Sequence, residues 1–194
     1  MKNSQRYTII KIIIAVIAVV IGGVLLWRYS TKAHSPEDSS VFSEDSLKME
    51  VVYNRPYKKG REVFGGLVPY GEVWRTGANE ATTFSTNKDV LVDGSPLKSG
   101  TYTLWTIPMQ NSWKVIFNSK MYPWGINLEK KASRDPNFDV LVLEVPITKV
   151  QDTLEQFSIY FEKSNDLVLF YLAWDDIKIS VPIKNKKTVQ KNNF

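Results

Sequence analysis

The chain has 194 residues with no cysteine and a single histidine, which excludes disulfides, cysteine zinc sites, iron–sulfur clusters, a thiolate nucleophile and an acylated lipobox anchor. The one imidazole, His34, stands just past an apolar run, so everything after it lacks a histidine base, a Ser-His-Asp triad or a histidine metal site. The net charge of +5 belongs to the ends: residues 1–34 hold five basic side chains and no acidic one, residues 184–194 hold four and none, and 35–183 is left with 16 basic against 20 acidic groups. That balance argues against a phosphate-neutralising nucleic-acid face.

Residues 1–8 read as a short cytoplasmic N-terminus and 9–29 as a transmembrane anchor. Ile9 to Trp27 carries one charge, Lys11, near its start, and as a helix would span ~28 Å, close to the hydrocarbon thickness. Lys11 can snorkel to the interface, and Trp27 and Tyr29 fall where an aromatic belt would lie. The alternative is a cleaved signal peptide, against which the apolar run is long and Thr31-Lys32-Ala33 a weak cleavage site. Lys2, Arg6 and Lys11 outnumber Arg28 and Lys32 across the run, which favours an N-terminus inside and a domain on the periplasmic or outer face of the cell membrane. Residues 30–46, polar and serine-rich, read as a flexible tether.

From Leu47 to Ile183 the pattern is β. LKMEVVY alternates as a half-buried strand. Thr82–Ser85, Val90–Val92, Thr101–Ile107 and Trp113–Asn118 follow, with turn signals at Asp93-Gly94 and Ser99-Gly100. Residues 119–138 are irregular around Pro123-Trp124-Gly125, with one helical turn expected over 128–133. Val140–Ile147, Leu154–Glu162, Leu167–Trp174 and Ile177–Ile183 complete the set, and residues 184–194 read as a basic, disordered tail. Many short strands with almost no helical period predict a mainly β fold, an antiparallel sandwich or jelly-roll-like domain behind one transmembrane helix.

The stretch Asn54 to Asp89, a long loop over its first two-thirds, sets Arg55, Lys58, Lys59, Arg61 and Arg75 among tyrosines, prolines and Trp74 before closing on Asn79 and Glu80. RPYKKGREVFGGLVPYGEVWRTGANEAT, with VLVDGSPLKSGTYTLWTIP, WKVIFN and FYLAWDDIKISVPI, resembles the bacterial family known as domain of unknown function 2911. The resemblance spans about Leu47 to Ile183 and implies an envelope or secreted β domain, largely from Bacteroidetes-type bacteria, with no established activity. No catalytic residue carries over, and an uncleaved anchor would depart from many relatives.

The residues themselves offer a candidate ligand site at Arg55, Arg61, Arg75, Asn79 and Glu80, with Trp124 as a stacking platform. Guanidinium forks and amides in a loop suit an anionic sugar, a peptide carboxylate or a phosphate. The alternative is structural, with Glu62 or Glu80 neutralising the arginines and the loop tied to the sheet. Tyr102, Trp105, Trp113 and Trp174 alternate as core residues, which leaves Tyr122 and Trp124 as the exposed pair. A glycosidase would need two carboxylates ~5–9.5 Å apart; Glu80 with Asp175 or Asp176 is the pair to consider, without support from spacing. No calcium loop or phosphate-binding glycine loop is present, and no metal or cofactor is expected. The sequence leans towards binding over catalysis, with the bilayer as one partner and an envelope carbohydrate, peptide or protein as the other. A hydrolase of envelope glycan or peptide and a scaffold without a small ligand are the rivals.

Overall fold

The computed structural model describes residues 3–186, which divide after His34 into two units. The first is a single helix, α1 (Asn3–His34). Ile13, Val19 and Leu26 are all exposed, and the apolar window has a mean hydropathy of 3.0 with none of it buried in the protein. A helix apolar on every side is stable in lipid or in a core; this one is compatible with a membrane anchor or a signal sequence. It runs beyond the predicted span at both ends.

The second unit is mainly β. Its strands are β1 (Glu37–Glu44), β2 (Leu47–Asn54), β3 (Thr83–Thr86), β4 (Val90–Val92), β5 (Ser95–Leu97), β6 (Gly100–Pro108), β7 (Ser112–Asn118), β8 (Asp139–Ser164) and β9 (Leu167–Asn185). All pairings are antiparallel, in the order β1-β2-β3-β6-β7-β8-β9-β4-β5. The long strand β8 joins the nine strands into one hydrogen-bonded antiparallel sheet, which bears out the mainly β, antiparallel expectation. Tyr53 of β2 and Phe157 of β8 are not neighbours in that order, yet their rings meet at 5.7 Å, and Phe84 of β3 meets Phe170 of β9 at 5.6 Å. The sheet therefore folds its apolar face onto itself around one buried cluster that includes Met49, Phe84, Phe117, Phe170 and Ile179.

Four expectations need correction. The tether of 30–46 is occupied by the end of α1 and by β1, which pairs with β2 from Glu37↔Asn54 to Glu44↔Leu47. An edge strand needs only one partner and one apolar face, and Phe42 packed on the core supplies that face. The four late strands are two long ones, because β8 and β9 stay paired through irregularities between Lys149 and Ser158 that break the alternation. The last strand reaches Asn185, so the predicted tail loses its first residues to the sheet and its remainder, 187–194, lies outside the described residues. Residues 128–133 form no helical turn; Ile126 pairs with Ala132 instead.

A second, smaller cluster of Ala81, Trp105 and Ile116, with Tyr122 and Ala132 against it, lies apart from the main core. It explains why Leu104 and Trp105, adjacent in β6, are both fully buried. Side chains of successive strand residues point to opposite faces, so the face opposite the main core is covered where the irregular segment crosses it.

Candidate functional site

The first half of the long loop is a strap. Val63, Phe64 and Val68 are buried, and Phe64 sits 4.9 Å from Trp113 and 6.3 Å from Trp174. Trp74 stacks on Trp174 at 5.9 Å and meets Phe157 at 4.9 Å. These rings are core, as the strand alternation predicts for Trp113 and Trp174.

The cations of this half bond to the protein. Arg55 donates from Nε to Phe157 O (3.0 Å) and from Nη2 to Ser158 Oγ (2.8 Å), and pairs with Asp38 at 3.1 Å. Lys58 pairs with Asp175 at 2.5 Å. Arg61 turns back on its own loop, donating to Lys58 O and Tyr57 O at 3.0 and 2.6 Å.

The loop's exit, RTGANE, is built differently. Thr76 has φ 54° and Asn79 φ 56°, a left-handed conformation that costs a β-branched residue about 1–3 kcal/mol and persists only where neighbours over-determine it. The neighbours are present. Thr76 Oγ1 donates to Thr106 Oγ1 (3.1 Å), Thr82 Oγ1 to Thr76 O (2.7 Å) and Trp74 Nε1 to Gly77 O (2.9 Å). A Cβ on Gly77 would lie 2.8 Å from Asn54 O, so only glycine lets the loop approach β2 this closely. Asn79, itself buried, donates from Nδ2 to Ser35 O (3.3 Å) and Asn54 Oδ1 (3.4 Å), while Asn54 Nδ2 donates to Glu80 Oε2 (3.2 Å).

Beside this chain of amides stands Arg75. Its stem packs on Gly125, where an added Cβ would lie 2.7 Å from Arg75 Cβ and 3.0 Å from Cγ. The Gly125 N–H donates to Asn79 O at 2.9 Å, which fixes the 119–138 segment against the loop. Burial holds the Arg75 pKa below its ordinary value, and the Glu80 carboxylate pulls it part of the way back. Its guanidinium makes no hydrogen bond or ion pair with any described residue. Among the described residues no fully buried side-chain nitrogen lacks a partner, so those N–H groups remain open to solvent. A desolvated fork with its donors open is equipped to take a carboxylate or phosphate in two parallel bonds.

Arg75, Asn79 and Glu80 thus converge, with Trp124 one residue from the Gly125 anchor and itself half-buried. Arg55 and Arg61 are directed elsewhere. Sequence reasoning missed Asn54, Gly125 and Ser35, which meet the loop only across long stretches of chain; the one local signal was an asparagine ending an apolar strand. Tyr122 is not the exposed platform expected of it: it packs edge-on to Trp105 at 5.4 Å, and its hydroxyl accepts from the Asp135 N–H.

The proposed carboxylate pair has separate partners, with Asp175 on Lys58, Asp176 on Lys149 and Glu80 on Asn54. Among the described residues no group of three or more His, Asp or Glu is placed to hold a metal. A cleft of about 290 Å³ lies at the β1–β2 and β8–β9 turns, lined by Phe42, Glu44, Lys163, Asp166 and Lys184 among others, and none of the predicted site residues lines it.

A mainly β antiparallel domain with a long strapped loop, following an apolar N-terminal helix, is the class these features define. The chain belongs to the family described as "Protein of unknown function (DUF2911)", whose model matches residues 35–183 and so takes in β1. Comparison with curated proteins and with solved structures returned no match.

Proposed function

We propose that the domain is an envelope-facing binding module, held at the membrane by α1, that takes an anionic ligand at Arg75. The observation that carries this reading is the Arg75 guanidinium, partly desolvated and bonded to no described residue, in a loop whose other arginines are bonded. Leaving such a group without a partner costs free energy unless a ligand or water supplies one. The strained backbone at Thr76 and Asn79 fixes the loop beside it. Asn79 and Glu80 shape the site's polar side, and Trp124 stands next in sequence to Gly125, on which the Arg75 stem packs. The basic side chains on the N-terminal side of the apolar run, Lys2, Arg6 and Lys11, against Arg28 and Lys32 beyond it, support an N-terminus inside and the domain outside.

Thermal melting of the full chain in detergent, with inorganic phosphate, galacturonic acid or a short peptide carboxylate, tests the reading. A ligand at 100 times its Kd stabilises by about 2.7 kcal/mol. A rise in Tm that disappears in Arg75→Ala is expected; a rise that survives the substitution would move the ligand elsewhere.

A further inference from the structure

Arg75 and Glu80 carry opposite charges at the two ends of RTGANE. The carboxylate stands near enough to act on the charge of the guanidinium, yet no ion pair or hydrogen bond joins the two. Opposite charges in a partly desolvated place gain by closing on each other, because their attraction grows as water is excluded. Here each is held back. The Arg75 stem is wedged against Gly125, and Glu80 is bonded into the row of amides beside it.

That row has a direction. Asn79 Nδ2 donates to Ser35 O (3.3 Å) and to Asn54 Oδ1 (3.4 Å), and Asn54 Nδ2 donates in turn to Glu80 Oε2 (3.2 Å). With its oxygen taken by Asn79, the Asn54 amide presents its N–H groups to Glu80. Both asparagines are buried, so a carboxylate that swung across to Arg75 would leave a desolvated donor unbonded. The Gly125 N–H on Asn79 O (2.9 Å) links the two supports, since the same glycine carries the Arg75 stem. The gap between the charges is therefore built into the packing.

We infer that the ligand of this site is a small zwitterion, its acid group taken by the Arg75 fork and its ammonium by the Glu80 carboxylate. The inference rests on the reading of Arg75 as an anion site and names the class of anion. A carboxylate offers about four acceptor positions, so the bond from Asn54 does not prevent Glu80 from taking an ammonium. The same negative charge opposes a plain anion at Arg75, which makes Glu80 the group that selects between the two classes. An amino acid and a phosphoethanolamine group share this chemistry and differ only in which acid the guanidinium receives.

Ligands matched in pairs test this. The full chain in detergent is melted over a concentration series of alanine against propionate, and of O-phosphoethanolamine against ethyl phosphate. In the wild type the ammonium-bearing member of at least one pair is expected to bind about tenfold or more tightly, the worth of one charge-assisted bond. The pair with the larger preference identifies the acid as carboxylate or phosphate. Glu80→Gln keeps an acceptor for Asn54 and removes the charge; it is expected to erase the preference and to tighten propionate and ethyl phosphate. Arg75→Ala is expected to lose all four ligands. Equal binding within both pairs would overturn the zwitterion while leaving the anion site in place, and that comparison needs no variant. A preference that survives Glu80→Gln would also overturn it. If none of the four ligands raises Tm, or if the rises survive Arg75→Ala, the reading of Arg75 falls and this inference falls with it.

Discussion

Arg55, Lys58 and Arg61 enter the long loop and Arg75 leaves it, and the two ends differ in where their donors go. At the entry every named cation is bonded: Arg55 to Phe157, Ser158 and Asp38, Lys58 to Asp175, Arg61 to two carbonyls of its own turn. At the exit the guanidinium is desolvated and without a bonded partner, while the surrounding amides and threonines bond one another. Residue type is the same at both ends, so it does not separate a strap from a ligand contact. On the proposed reading, the count of donors satisfied by the protein does.

Substitutions along the loop should sort by this difference. The largest loss is expected at Phe64→Ala, which empties a site among Trp74, Trp113 and Trp174 and should cost about 3–5 kcal/mol by denaturant unfolding. Such a loss would place the strap's strength in its rings. Gly125→Ala puts a methyl into the Arg75 stem and should cost about 1–3 kcal/mol while also reducing anion binding, because the stem must move. Arg55→Ala removes two hydrogen bonds and a partly screened ion pair, about 1–2 kcal/mol, and should leave anion binding intact. A loss of binding with no loss of stability there would erase the distinction between the two ends. Arg75→Ala should change stability least, within about 0.5 kcal/mol, because no protein bond is lost.

The β character was legible because alternation survives in β2, β6 and β7, and because Asp93-Gly94 takes the left-handed pair a tight hairpin needs, with φ of 46° and 76°. β1 was hidden by its composition: EDSSVFSE pairs through its backbone and buries little, which no hydrophobic period records. The joins within β8 and β9 were hidden because polar residues such as Gln151 and Asp175 sit at irregularities where pairing continues without alternation. At the site, Arg75, Asn79 and Glu80 were legible as neighbours in sequence. Their supports were not, since Asn54, Gly125 and Ser35 come from separate parts of the chain and meet Asn79 only after the sheet has folded.

The decisive comparison is the melting of wild type, Arg55→Ala and Arg75→Ala with and without the same anion. Arg55→Ala should start at a lower Tm and rise on addition as the wild type does, whereas Arg75→Ala should start at the wild-type Tm and not rise. If Arg75→Ala instead melts well below the wild type, or keeps the full rise, the loop's last arginine is a strap like its first and the anion site is not there.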